Sequence, residues 1–210
     1  PMLDKTSSTE QNTMPVRRDD ANVPMTLRST GQIGHDIRAL RQSRGWTLID
    51  LANELDRSIG WLSQVERGTS EPALSDLRKV AILFNLPLSF FFSNSPEHAE
   101  SDHVVRAQSR RIMHDDTTGL REELLSPDLG GRFEMVRSVF AAGTMIPAPV
   151  TRPTEEAGYI VSGQLTLSLD GQVYALKAGD SFRFAGEAMQ WKNDGKEDAV
   201  VIWVIAPPIY

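Results

Sequence analysis

The chain has 210 residues, no cysteine and a formal net charge of −6. Disulfides and thiolate metal sites are thereby excluded, and the length suits two small domains. The longest apolar run, Ala199 to Ala206, is shorter than the roughly 20 residues of a spanning helix, and no apolar leader is visible. A cytoplasmic protein that does not engage a membrane is therefore expected.

Residues 1–29 are polar and without a period, and read as a disordered tail. Helical spacing begins near Gly31, with Ile33, Ile37 and Leu40 on one face and Gly45 as the stop. Thr47 opens a second helix, with Asp50 three residues on as in a capping box. Its apolar stripe is Leu48, Leu51, Ala52 and Leu55. Ser58 is the next N-cap, and Ile59, Leu62 and Val65 are the expected buried positions of a third helix, which ends at Gly68. A fourth should run from Ala73 to Phe84 with Leu74, Leu77, Ala81 and Phe84 inward. Leu88 to Phe92 should close the core as a fifth short element. This gives an all-α, five-helix module over 30–93.

Residues 94–103 are patternless, contain Pro96, and read as a linker. From 104 to 210 the period changes to two. Phe133, Met135, Arg137 and Val139 alternate with Glu134, Val136 and Ser138, and Leu165, Leu167 and Leu169 with Thr166 and Ser168. Asp170-Gly171 is a two-residue hairpin signal. Phe182 and Phe184 flank Arg183, and Ala199 to Ile205 reads as a fully buried strand. Many short strands at close spacing predict a sandwich or small barrel.

The acidic total by itself speaks against nucleic acid as a partner. The charge is uneven, however. Residues 31–93 hold seven basic and seven acidic side chains, whereas 104–210 hold eleven and fourteen. A neutral helical module can still bind DNA if its cations share one face.

Two short helices joined by the tight Leu55-Asp56-Arg57 turn have helix-turn-helix spacing. The segments Ile33–Arg41, Gly45-Trp46-Thr47-Leu48 and Leu62-Ser63-Gln64-Val65-Glu66-Arg67-Gly68 resemble the phage-repressor-like (Xre-type) helix-turn-helix family over about 31–92. The resemblance implies a third helix in the major groove of an operator, with Ser58, Ile59, Gly60, Ser63 and Gln64 toward base edges. An amide such as that of Gln64 suits adenine, and Ile59 suits a thymine methyl. Thr47 is expected to offer a backbone N–H to phosphate, beside Arg44, Trp61 and Arg67. Gly60 serves either this face or close packing. Trp61 reads as a helix-surface anchor. Glu66 is expected to pair with Arg41, a structural role that the family implies. With so few cations on the third helix, a homodimer on a two-fold site is expected.

The second half resembles the cupin barrel, a double-stranded β-helix. The resemblance rests on Gly143, Glu155–Gly163, Lys177-Ala178-Gly179-Asp180-Ser181-Phe182, Trp191 with Asn193, and Ala206-Pro207-Pro208. In that family two histidines, a glutamate and a further histidine hold a divalent metal. Here those positions fall on Pro149, Thr151, Glu156 and either Gln190 or Met189. His35, His98, His103 and His114 all lie elsewhere, so no metal cofactor is expected. The expected cavity is lined by Met145, Arg152, Glu156, Tyr159, Phe182, Phe184, Gln190, Trp191 and Trp203, with plain core packing as the competing reading of Phe182, Phe184 and Trp203.

Together these features predict a transcription regulator, more a repressor than an activator. Its barrel would sense an effector such as an amino acid, amine or short peptide without a metal. Two alternatives remain open: a metal-dependent cupin enzyme fused to the DNA-binding module, and a cupin used only for dimerisation.

Overall fold

The computed structural model describes residues 26–93, 103–115, 119–208 and 210. The first half contains β1 (Thr26–Leu27), α1 (Thr30–Ser43), α2 (Leu48–Leu55), α3 (Ile59–Glu66), α4 (Leu74–Leu83) and β2 (Phe92–Ser93). Local chemistry sets the helix starts. Ser29 and Gln32 form a capping box at α1, and Thr47 and Asp50 form one at α2. Ser58 caps α3 by accepting from the Trp61 N–H. Gly45 and Gly68 take positive φ where α1 and α3 end.

The apolar faces of these helices converge on one core. Ile33, Ile37, Leu40, Leu51, Leu55, Leu62, Val65, Leu77, Phe90 and Phe91 are at most 1% exposed. Each such large side chain contributes about 1.5–3 kcal/mol through burial. Helices α1 and α3 approach so closely that a Cβ on Gly34 would lie 2.2 Å from the Val65 carbonyl oxygen.

The structure departs from several expectations here. The fifth helix is only a 3₁₀ turn, Leu88–Phe91, because Phe92 immediately extends into β2. The expected tail is ordered at its end, since Thr26 and Leu27 pair with Ser93 and Phe92. Ile59 and Leu74, expected inward, are 46% and 51% exposed. Both sit in the first turn of their helices, at the rim of the bundle. Most of the linker and residues 1–25 of the tail lie outside the described residues.

The second half is built from β3 (Arg111–Asp115), β4 (Leu120–Leu124), β5 (Glu134–Phe140), β6 (Glu155–Ser162), β7 (Gln164–Leu169), β8 (Gln172–Lys177), β9 (Ser181–Ala185), β10 (Met189–Lys192) and β11 (Ala199–Ala206). They form a six-stranded sheet, β3-β4-β5-β11-β6-β9, and a three-stranded sheet, β10-β7-β8. Neighbouring strands in both sheets run antiparallel. The Asp170-Gly171 hairpin joins β7 to β8, with both residues at positive φ. Strand β11 is central but not fully buried. Val201 and Ala199 are 0% exposed, whereas Val204 on the opposite side is 37% exposed.

The two halves share packing. Leu124 and Leu129 belong to the helical core, and Met113 and Tyr210 pack against it. Arg111 of β3 lies with its guanidinium carbon 4.4 Å from the Phe90 ring centre and donates to Asp36 of α1 at 2.9 Å. Asp36 also pairs with Arg28. Among the described residues no helix is long and apolar enough to cross a membrane.

Candidate functional site

Helix α3 has one face committed to the core and one to solvent. Leu62 and Val65 are fully buried. Ser58, Ile59, Gly60 and Gln64 are exposed, and Ser63 is half-buried. These five residues therefore occupy the outward side of α3, mostly in its first turn. A Cβ on Gly60 would meet nothing within 4 Å. The packing explanation for this glycine is thus removed, and its open surface remains.

The scaffold behind this face is held by ion pairs. Arg41 grips Glu66 with two hydrogen bonds, Nε to Oε1 at 2.7 Å and Nη2 to Oε2 at 2.9 Å, and its Nη1 reaches the Trp46 carbonyl. The pair is almost buried, as the structural reading of Glu66 requires. Arg57 donates twice to Asp76 and also lies 5.1 Å from the Trp61 ring centre. Trp61 is half-buried against the core, as an anchor at the helix surface.

Two expected phosphate contacts need revision. The Thr47 N–H donates to Asp50 Oδ2 at 2.7 Å and so does not face outward. The donors left at this helix start are the N–H groups of Leu48 and Ile49, which no carbonyl of α2 can reach. Arg44 is exposed but engaged: its guanidinium lies 4.4 Å from the Phe84 ring centre and 5.2 Å from that of Trp46, and Nε donates to the Tyr210 carbonyl at 3.2 Å. Arg67 is exposed at the C-cap of α3.

In the sheet half, register decides which side chains face inward. Directly paired residues of neighbouring strands share a face. One row runs Glu134–Ile205–Glu156–Phe184 across β5, β11, β6 and β9. The next runs Leu124–Val136–Trp203–Gly158–Phe182. Trp203 therefore stands diagonally between Glu134 and Glu156. All three are nearly buried, at 5%, 3% and 2% exposure. A third row, Glu122–Ser138–Val201–Ile160, adds a carboxylate that accepts from the Ser138 hydroxyl at 2.8 Å.

Aromatic rings wall this face. Phe182 meets Trp203 edge-on at 4.9 Å, and Phe184 lies 6.4 Å from it. Gly158 makes this possible, since a Cβ there would sit 2.2 Å from the Phe182 ring. Glu156 accepts from the Thr154 hydroxyl at 2.8 Å. Glu134 Oε2, the Trp203 indole nitrogen and the Tyr210 hydroxyl are buried without a hydrogen-bond partner among the described residues. Burial pushes the Glu134 carboxyl up to about 7. The facing Tyr210 phenol and Arg152 pull it down, and Glu122 and Glu156 push it further up. Burial and the neighbouring Glu134 also raise the Tyr210 phenol above its ordinary value.

The expected cavity lining is partly corrected. Met145 and Tyr159 are 48% and 50% exposed, the latter because odd-numbered residues of β6 point outward. Met189 and Trp191 pair with Leu169 and Leu167 on the inner face of the smaller sheet, which places Gln190 on its outer face, bonded to the Ile146 carbonyl. Trp191 packs edge-on against Phe140 as core. Arg152 is exposed but near enough for its charge to act on Glu134. The residues brought together are thus Glu156, Phe182, Phe184 and Trp203. Glu134 and Tyr210 join them. Glu134 was legible from its phase with Val136 and Ser138; nothing local marks Tyr210.

The cupin metal positions do not suit a divalent transition metal. Pro149 and Thr151 are exposed, Met189 lies in the apolar core, and Glu156 is held by Thr154. Among the described residues no three histidine or carboxylate side chains converge to hold a metal ion.

Residues 32–88 match the family described as a helix-turn-helix domain, and residues 136–205 match the cupin domain family. The chain is similar to the HTH-type transcriptional regulator SutR of Escherichia coli, 29% identical over 78% of this chain and 88% of the relative. It is also similar to the transcriptional regulator ClgR of Mycobacterium tuberculosis, 33% identical over 36% of this chain and 68% of that protein. A crystal structure of an HTH_3-family transcriptional regulator from Vibrio cholerae is 24% identical and covers 86% of this chain and 97% of its own, with a TM-score of 0.41.

Proposed function

Since the chain belongs to the Xre-type helix-turn-helix transcriptional regulators that carry a C-terminal cupin domain, a DNA-binding family, we propose that it is a cytoplasmic, homodimeric repressor whose cupin half senses a small effector without a metal. The observation that carries the DNA-reading part is the α3 surface. Ser58, Ile59, Gly60, Ser63 and Gln64 lie on the helix side away from the core, behind which Leu62, Val65 and the Arg41–Glu66 pair fix the helix orientation. An exposed apolar side chain in the first turn of a rigid helix and an exposed amide in its second turn suit base-edge contacts.

Dimerisation follows from charge. Arg41 and Arg57 are committed to Glu66 and Asp76, so a single copy offers few cations to phosphate. Two copies on a two-fold operator double that number. Tyr159, Val161 and Val204, exposed on the outer side of the six-stranded sheet, are apolar residues that a second copy would cover.

Effector sensing is supported by the polar atoms buried without partners at Glu134 and Trp203, because a sheet face used only for packing would be apolar there. The effector classes in view are an amino acid, an amine or a short peptide. The donor set at Pro149, Thr151, Glu156 and Met189 weighs against metal-dependent catalysis.

The test is selection from random-sequence duplex DNA with the purified protein, followed by sedimentation of the complex. The expected result is enrichment of a two-fold repeat with half-sites about one helical turn apart, bound by two chains. Enrichment of no sequence would overturn the reading, and a single chain per site would overturn its dimeric part.

A further inference from the structure

Taking the effector-sensing reading as its basis, we infer that the inner sheet face around Glu134, Trp203 and Glu156 is a binding site for a small organic ammonium ion.

Glu134 and Glu156 lie on one cross-strand row, separated by a single strand, with Ile205 between them. Neighbouring strands are about 4.8 Å apart, so these two backbones stand roughly 10 Å apart with both side chains inward. Trp203, on the intervening strand, projects between them and is flanked by Phe182 and Phe184. Neither row contains a Lys or Arg. Glu156 accepts a hydrogen bond from the Thr154 hydroxyl, a neutral donor. Glu134 is 3% exposed, and the donor that faces it is the neutral Tyr210 phenol. A buried carboxylate faced by a neutral donor gains from a cation at contact distance.

An ammonium group supplies what is missing. Its N–H groups donate to carboxylate oxygens, and its charge is favoured over an indole face. The alkyl part fits the aromatic wall. An anionic ligand would meet two carboxylates, and a neutral alcohol would bring Glu134 no charge beyond that of the exposed Arg152. The site also reaches the DNA-reading half. The Tyr210 phenol faces Glu134, its ring packs against the helical core, and its carbonyl accepts from Arg44. A ligand that draws Glu134 toward itself changes what the phenol faces, and so links the sheet to the helix bundle.

The test uses the full-length protein with butylammonium chloride and pentylammonium chloride as probes, and 1-butanol and sodium butyrate as controls. Binding is read by thermal shift and calorimetry at constant ionic strength, at pH 6 and pH 8. The ammonium probes should raise the melting temperature and the controls should not. Affinity should rise from pH 6 to pH 8, because binding favours ionised Glu134. Glu134→Gln and Glu156→Gln should each weaken binding roughly tenfold, in line with the loss of a charge-assisted hydrogen bond, and Glu134→Gln should also remove the pH dependence. Both variants keep the side-chain shape, and in Glu156→Gln the new amide oxygen can still accept from Thr154.

Binding of butyrate or butanol in place of the ammonium probes would overturn the charge assignment while leaving the effector reading intact. Absence of binding by any probe, or unchanged ammonium affinity in both variants, would overturn the site. Sequence-preferring DNA binding that persists in those cases would show that the regulator reading had not failed with it.

Discussion

Arg111 on the first strand of the large sheet donates to Asp36 on the first helix of the DNA-reading bundle, Nη1 to Oδ2 at 2.9 Å, with both side chains nearly buried. Arg28, from the segment leading into that helix, shares the same aspartate oxygen. One carboxylate therefore holds two cations, one from each half of the chain. The halves are joined by a buried ionic contact as well as by apolar packing.

Removing the aspartate should be costly. Asp36→Ala leaves two buried guanidinium groups without their anion, and the expected loss is about 3 kcal/mol. Urea denaturation followed by circular dichroism measures it. Arg111→Leu should cost less, because Asp36 keeps Arg28. It should also weaken coupling between the halves, visible in calorimetry as a broadened or split transition. A loss below about 1 kcal/mol for Asp36→Ala would mean that the pair is not buried in solution.

Gly34→Ala should destabilise the bundle. A Cβ at this position lies 2.2 Å from the Val65 carbonyl oxygen, a backbone atom that cannot swing away. Helices α1 and α3 must separate, at an expected cost of about 1–3 kcal/mol. Gly60→Ala, with open space around its Cβ, should leave stability nearly unchanged or slightly improved. The two melting temperatures, compared directly, check both statements.

Much of the helical half was legible in the sequence. Ile33, Ile37 and Leu40 mark one helix face, and Thr47, Ser58 and Gly45 mark ends, because caps and stops act locally. The helical period carries Ile59 and Leu74 inward, but first-turn residues lie at the rim, where burial stops. The sheet was harder. Alternation shows that Glu134 and Val136 share a face, but only pairing to β11 shows that Glu156 and Trp203 share it too. Without register, the sequence does not show that Tyr159 and Gln190 point outward. Tyr210 and the Arg111–Asp36 pair depend on packing between the halves, which no local pattern reports.

The Glu134 carboxyl gives stability a pH dependence of defined sign. Its pKa in the folded protein is pushed up to about 7 by burial, against an ordinary value of 4.5. The groups that face it are the Tyr210 phenol, Arg152, Glu122 and Glu156. Between those two pH values the folded chain keeps a proton that the unfolded chain releases. This contribution is fully present below pH 4.5 and is lost as pH rises through 7. Glu134→Gln should therefore stabilise the protein at pH 8 by on the order of 2 to 3 kcal/mol and have little effect near pH 5. Equal shifts at both pH values would contradict the assignment.

Side chains on α3 should separate by role. Gln64→Ala should relax base preference at one operator position by about 1–3 kcal/mol without lowering the melting temperature. Glu66→Ala should act oppositely. It strands Arg41, whose Nε and Nη2 both donate to it, and should lower stability by roughly 2 to 4 kcal/mol with the preferred DNA sequence unchanged. Operator-variant titrations alongside melting curves distinguish the two.

Sequence-selective DNA recognition is proposed for a chain whose total charge is negative. Its most direct measurement is an equilibrium anisotropy titration of the selected operator and a scrambled duplex at several salt concentrations. The operator should bind with an affinity that falls linearly in log–log form as salt rises, at least about 10³-fold tighter than the scrambled duplex. Equal affinities for the two duplexes at moderate salt would contradict the account.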